Sequence, residues 1–264
     1  MNAGDPGVRD AAARTAGAEG LRWLEPAWDV DARVRVISTL RSGGVSRGPH
    51  AALNLARHVG DEGDAVTENR RRLRAAARLP AEPAWLEQVH GTRVVDAATV
   101  RGAPTQADAS VAHESNAVCT IMTADCLPVV IADRGGTRVA VAHAGWRGLV
   151  GGVIEATLGA LQLEPARLVA WLGPAISQPA FEVGAEVREA FIARNAGFAP
   201  AFMPNDRGRY QADLYELTRK TLGAQGVVDV RGGGWCTVAQ RGLFHSFRRD
   251  HRAGRMATLA WLAD

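Results

Sequence analysis

The sequence predicts a mixed α/β fold with helices outside mixed sheets. Apolar, partly β-branched runs of strand length recur: "RVRVIST" at 33–39, "NAVCTIMTA" at 116–124, "LPVVIAD" at 127–133, "TRVAVAHA" at 137–144, "LVAWLGPAI" at 168–176 and "RMATLAWL" at 255–262. Between them lie amphipathic segments of helical period, "GAEVREAFIAR" at 184–194 and "ADLYELTRKTLGAQG" at 212–226, the second closed by Gly226. The two kinds of segment are interspersed without strict alternation, which points to mixed rather than purely parallel sheets.

The other elements follow in chain order. Residues 1–30 read as a flexible leader, and 31–264 as one catalytic domain. Residues 40–56, rich in Gly, Ser and Pro, read as a loop. Asp64 is the expected N-cap of a helix over 65–79 that Pro80 stops. "AWLEQVHG" at 84–91 is a short strand entering a loop, and "TRVVDA" at 92–97 resumes extended structure. "GLVGGVIEATLGALQL" at 148–163 has helical length, weakened by its glycines. "VVDVRGGGWC" at 227–236 is a strand running into a tight turn.

Hydrophobic residues are 47% and charged residues 22%, a globular balance. Net charge is +3 with no long basic run, so no nucleic-acid partner is expected, and "RRRLR" at 70–74 reads as the solvated face of its helix. The only lysine is Lys220, which disfavours Schiff-base chemistry. Three scattered cysteines, Cys119, Cys126 and Cys236, make no disulfide framework. No run approaches the roughly 18 apolar residues of a membrane span, and the N-terminus has no continuous apolar stretch. A soluble cytoplasmic protein, monomer or homodimer, is the expectation.

"TADCLPVV" at 123–130 places Asp125 and Cys126 between apolar runs. A carboxylate that loses water there must be paired, bound or used. If Gly135 and Gly136 centre the turn between "LPVVIAD" and "TRVAVAHA", paired positions sum to 271 and Cys126 faces Gly145. His143 then shares a sheet face with Cys126 as its diagonal neighbour, about 7–8 Å away between Cα atoms. That span suits two ligands of one metal, and a one-residue slip would destroy it. The chain has seven histidines, His50, His58, His90, His113, His143, His245 and His251, so six besides His143 are available for a third ligand. His90 is the most site-like, because it ends an apolar strand and precedes a glycine that lets the backbone turn. Two His and one Cys form a usual catalytic zinc set. Three unconnected core residues are the alternative, and spacing alone leaves that open.

Other polar residues gather around these segments. Arg147 opens the helix after "HAGWRG" and suits an anion such as phosphate, or else is a surface arginine. Arg248 in "SFRRD" offers a second guanidinium, although either it or Arg249 is expected to pair with Asp250. Ser46, Asn54 and His58 lie on a polar loop of the kind that carries substrate contacts.

The motifs "LNLARHVGD", "ENRRRL", "WLEQVHG", "ADASV", "TADCLPVV", "VAVAHAGWRGL", "WLGPAI", "FEVGAEVREAF" and "SFRRDHRAGRMA" follow one another in the order seen in the YfiH-like family, which the chain resembles from about residue 34 to its C-terminus. That family also goes under the names multicopper polyphenol oxidase (laccase), purine nucleoside phosphorylase and peptidoglycan editing factor. The resemblance implies a layered α/β/β/α fold and metal ligation by His90, Cys126 and His143. It implies phosphorolysis of adenosine and inosine, with adenosine deamination and methylthioadenosine phosphorolysis as further activities. The laccase label implies copper. The chain departs from the family at His245 and Phe247, where Phe and Tyr are common, and at Arg57, where a small or apolar residue is usual.

The expected enzyme is therefore a zinc-dependent purine nucleoside phosphorylase. Its partners are nucleoside and phosphate, with Arg147 and Arg248 on the phosphate and Ser46, Asn54 and Gln88 on sugar or base. Asp125 is the expected proton carrier, provided the strand bends at Pro128; otherwise it orients a neighbour. The alternatives are copper-dependent phenol oxidation, a peptidoglycan-precursor hydrolase with Cys126 as nucleophile, and a non-enzymatic metal-binding protein.

Overall fold

The computed structural model describes residues 12–15, 20–102 and 105–264. Two large sheets carry the fold. In one, five antiparallel strands run in the order Ala12–Thr15, Arg22–Glu25, Val34–Thr39, Met256–Leu262, Val118–Thr123. In the other, six strands run in the order Val230–Gly232, Leu168–Leu172, Leu127–Asp133, Val139–Ala144, Ala109–Ala112, Val94–Asp96. Its two outermost pairs are parallel and the rest antiparallel, so this sheet is mixed.

The period-2 alternation of side chains explains the layering. Val130, Ala132, Val139, Val141, Val169 and Trp171 of the mixed sheet meet Val34, Val36, Cys119, Ile121, Ala260 and Leu262 of the antiparallel sheet in one buried core. The opposite face of the mixed sheet, with Val129, Ile131, Ala140 and Leu172, packs under helices Val153–Leu161, Ala185–Arg194 and Leu214–Ala224. The outer face of the antiparallel sheet, with Ile37, Met122 and Leu259, is covered by Leu53, Leu55 and Leu73, the last from helix Gly63–Ala76. The order is α/β/β/α. Strands buried on both faces have no need to alternate, which is why Leu127–Asp133 reads as an unbroken apolar run.

The hairpin register is the one the Gly-Gly turn implies. Val139 pairs with Ala132 and His143 with Pro128, each pair summing to 271. Three expectations are corrected. The leader does not extend to residue 30: Arg22–Glu25 pairs with Val34–Thr39, and Leu21, Trp23 and Leu24 are buried in the core. Residues 1–11 and 16–19 lie outside the described residues. Asp64 is not the N-cap; the helix starts at Gly63 after Glu62, and Asp64 sits in its first turn, where a carboxylate favours the helix dipole. The helix expected over 148–163 is two helices, Trp146–Gly151 and Val153–Leu161, broken at Gly152, whose φ is 103°. Arg71 and Arg72 pair with Glu68 on the solvated face of their helix, while Arg70 stacks over Trp85.

Trp171 is the largest side chain in the core between the sheets and meets Trp235 edge-on at 6.0 Å. Trp171→Ala is expected to lower unfolding free energy by about 3–5 kcal/mol, read from the urea midpoint at unchanged slope.

Candidate metal centre

Cys126 lies just beyond the first strand of the hairpin and His143 near the end of the second, so the open end of the hairpin presents both. His90 comes from the loop after Leu86–Glu87, with a left-handed backbone at φ 60°. One buried carboxylate holds this arrangement. Asp108 is fully buried and accepts the N–H groups of Val89 (3.1 Å), His90 (2.9 Å) and Gly91 (2.7 Å), while its Oδ1 lies 2.8 Å from His143 Nδ1. The carbonyl of Asp108 also accepts the His143 N–H at 2.7 Å. A carboxylate on Nδ1 fixes the tautomer and leaves Nε2 as the ligating atom.

The ligand atoms of His90, Cys126 and His143 all lie within 4.8 Å of one another, and Cys126 Sγ is 3.9 Å from His90 Nε2. The two imidazoles stand edge to face with centroids 4.7 Å apart. Zinc bonds of about 2.0–2.1 Å to nitrogen and 2.3 Å to sulfur fit this triangle after small inward shifts. The donor set therefore fits Zn²⁺ or a softer N/S-binding ion such as copper, and leaves a fourth position toward the cavity. Among the described residues this is the one His/Cys/Asp/Glu group that converges in this way.

Electrostatics agree with the geometry. Burial opposes ionisation of Cys126, but the imidazoles of His143 and His90 outweigh it and push the thiol down. Burial opposes the charging of His143, yet the Cys126 thiolate and Asp108 push it up. Burial likewise opposes ionisation of Asp108, while His143 and the N–H groups of Gly91 and Val89 hold its carboxyl below the usual range. Gly145 completes the wall, since a Cβ there would stand 2.9 Å from Cys126 Sγ and 3.1 Å from His90 Cδ2.

A cavity of about 270 Å³ opens onto the three ligands, lined also by His58, Gln88, Met122, Thr123, Phe247 and Arg255. Most of the other expected site residues are engaged elsewhere. Asp125, at φ 102°, accepts from Thr237 Oγ1 at 2.6 Å and from the Arg248 N–H at 2.6 Å, so both carboxylate oxygens are engaged by structure, and Asp125 is not among the residues lining the cavity. Arg147 is exposed and stacks on Trp146, away from the cavity lining. Arg248 is exposed, donates to the Glu182 carbonyl and lies over Phe181. It is Arg249 that pairs with Asp250. Ser46 donates to Asp61, and buried Asn54 donates to Asp61 and accepts from the Arg255 N–H, so these two brace the loop. Gln88 lines the cavity, but its amide makes both hydrogen bonds to the backbone of Met122. His245 is buried outside the cavity lining, where burial and nearby arginines push its pKa down to about 3. Arg57 is a surface residue donating to Thr67. Asp108 and Arg255 are the site residues the sequence reading missed, although both lie inside motifs it singled out.

The family described as multi-copper polyphenol oxidoreductase laccase matches residues 35–263. The chain belongs to that family. A relative from Pseudomonas aeruginosa, named a purine nucleoside phosphorylase, is 54% identical over 243 residues, covering 92% of this chain and 99% of the relative. One from Escherichia coli, named purine nucleoside phosphorylase YfiH, is 48% identical and covers 90% and 98%. A crystal structure of a Neisseria meningitidis protein matches with a TM-score of 0.89 at 48% identity, over 92% of this chain and 99% of that one. YlmD from Geobacillus stearothermophilus matches with a TM-score of 0.86 at 29% identity, over 95% and 99%. No helix among the described residues is long and apolar enough to cross a membrane.

Two outcomes test the site. Asp108→Asn removes one acceptor and the charge behind His143, and is expected to weaken zinc binding about 10–100-fold in chelator competition. In metal-free protein the depressed Cys126 thiol keeps its thiolate as pH falls below the free-cysteine range, until pH drops through about 6. Alkylation by iodoacetamide is therefore expected to stay fast at pH 7. In His143→Ala it is expected to fall off toward the ordinary thiol range near pH 8.5.

Proposed function

We propose that this chain is a zinc-dependent purine nucleoside phosphorylase, splitting adenosine and inosine into free base and ribose 1-phosphate. The observation that carries this reading is the His90–Cys126–His143 set at the wall of a cavity large enough for a small molecule, in a chain whose relatives bear that enzyme's name. The cavity, about 270 Å³, falls just below the roughly 300–1,000 Å³ of small-molecule sites and is open to solvent on one side, so a bound nucleoside would extend past its rim. A metal at this set would supply Lewis-acid polarisation of a substrate oxygen.

The chain's own groups supply the rest. Phe247, half exposed at the rim, offers an apolar face for the base. In the reaction a phosphate oxygen forms a bond to ribose C1′, the C1′–N9 bond breaks, and its electron pair leaves with the purine, which takes up a proton. His58 lines the cavity, and its pKa is lowered by burial and by Arg255 and Arg70, so near neutral pH it is an uncharged imidazole able to accept a proton from incoming phosphate. The same pocket would take methylthioadenosine. Deamination of adenosine there would replace the C6 amino group by oxygen from water and release ammonia. A nucleoside substrate and three free thiols suit a cytoplasmic location.

Copper-dependent phenol oxidation is less well supported, because linked copper centres need more than the one converging ligand group found among the described residues. A hydrolase with Cys126 as nucleophile has one specific observation in its favour: Cys126, His143 and Asp108 stand in thiol–imidazole–carboxylate order. A metal on the thiolate would disable that chemistry, so metal dependence separates the two readings.

Incubated with inosine, the metal-loaded protein is expected to release hypoxanthine only when phosphate is present, followed by chromatography. Cys126→Ala is expected to lose the activity together with the metal. Release that proceeds equally in phosphate-free buffer would make the reaction hydrolysis and not phosphorolysis, and release that survives metal removal would contradict metal dependence.

A further inference from the structure

Arg255 is the one cation of fixed charge lining the cavity beside the ligand set. It precedes strand Met256–Leu262, and its backbone N–H is held by Asn54 Oδ1 at 2.9 Å, so the segment that carries it is fixed by a buried side chain. Its guanidinium lies 5.7 Å from the Phe247 ring centroid, which sets its lateral position. Nη1 donates to the carbonyls of Ala253 (2.7 Å) and Gly254 (3.2 Å). Among the described residues Nε and Nη2 make no hydrogen bond, and no carboxylate stands within ion-pair distance.

A largely desolvated guanidinium without a counter-ion is costly unless an anion completes it. Burial lowers its pKa, and the negative charges of Cys126 and Asp125 only partly offset this. The Asp125 carboxylate is already held by Thr237 and the Arg248 N–H, and the Cys126 thiolate belongs to the ligand set. Arginine keeps its charge at any working pH, and its unused N–H groups form a planar fork that matches two oxygens of one tetrahedral anion.

We propose that Arg255 binds the phosphate co-substrate, placing a phosphate oxygen against the nucleoside in the cavity it lines. This rests on the phosphorylase reading for the identity of the anion, but not for the anion site itself. It moves the phosphate-binding role from Arg147 and Arg248, which lie outside the cavity lining, to a residue inside it. It also makes Arg255 a binding residue for phosphate and not for the purine.

The test pairs calorimetric titration with inorganic phosphate and steady-state kinetics on metal-loaded wild type, Arg255→Met and Arg255→Lys. Because the backbone N–H of position 255 still donates to Asn54 Oδ1 after either change, both variants keep that brace, and the lysine variant retains a charge should the methionine variant fold poorly. Arg255→Met is expected to weaken phosphate binding, and to raise the phosphate KM, roughly 10–100-fold. Inosine affinity measured without phosphate, and metal content, are expected to stay within about twofold. Arg255→Lys is expected to recover part of the phosphate affinity, since it restores charge without the fork. Unchanged phosphate binding in Arg255→Met, or an equal loss of inosine binding, would overturn the proposal. If wild type binds phosphate through Arg255 yet splits no purine nucleoside, the phosphorylase reading fails and the anion site stands. If wild type binds no phosphate, the anion site fails.

Discussion

The site depends on a buried carboxylate. Asp108 sits where the loop after Leu86–Glu87, the strand Ala109–Ala112 and the strand Val139–Ala144 meet, and it is the group that binds all three. Burying an ionised carboxylate costs several kcal/mol even after relaxation. Three backbone N–H donors and one imidazole offset this, since hydrogen bonds to a charged group contribute about 1.5–3 kcal/mol each. The buried charge therefore requires these partners, since each bond lost leaves part of the cost uncompensated. That requirement keeps His90 in its left-handed conformation and His143 in one tautomer at the same time.

The sheets make the arrangement possible. Antiparallel pairing fixes His143 opposite Pro128, which sets Cys126 one residue past the last pair, beside Gly145. Apolar packing on both faces of that hairpin holds the register, because a slip of one residue would turn Val130 and Ala132 out of one core and Val129 and Ile131 out of the other. The result is a rigid hairpin end carrying a soft ligand and a nitrogen ligand, closed by a histidine from a loop. On the same cavity Arg255 brings positive charge. A cation-binding wall and a guanidinium on one small cavity suit a neutral substrate and an anionic co-substrate better than two neutral ones.

The parts of this legible in the sequence were those with local signals. The Gly135–Gly136 turn sets the hairpin register by itself, and with it the shared face of Cys126 and His143. His90 stood out because a glycine follows it. Asp108 was hidden because its partners lie 17–35 positions away, and nothing in "ADASV" tells a buried brace from a strand residue. Arg255 was hidden among many arginines; only the fold shows that it lacks a carboxylate. Ser46, Asn54 and Gln88, expected on the substrate, and Asp125, the expected proton carrier, all make structural hydrogen bonds, for one reason. Irregular backbone near a site leaves N–H and C=O groups to satisfy, and nearby polar side chains satisfy these or one another. The strand Arg22–Glu25 was missed because it is short and follows a polar, glycine-containing stretch.

The most direct test of the central claim is X-ray absorption at the zinc edge on protein purified without added metal, with total metal quantified by mass spectrometry. The account predicts about one zinc per chain, with one sulfur near 2.3 Å, two imidazole nitrogens near 2.0–2.1 Å and one further light atom, all lost in Cys126→Ala. Zinc bound by two or more sulfurs, or metal that persists unchanged in Cys126→Ala, would contradict it.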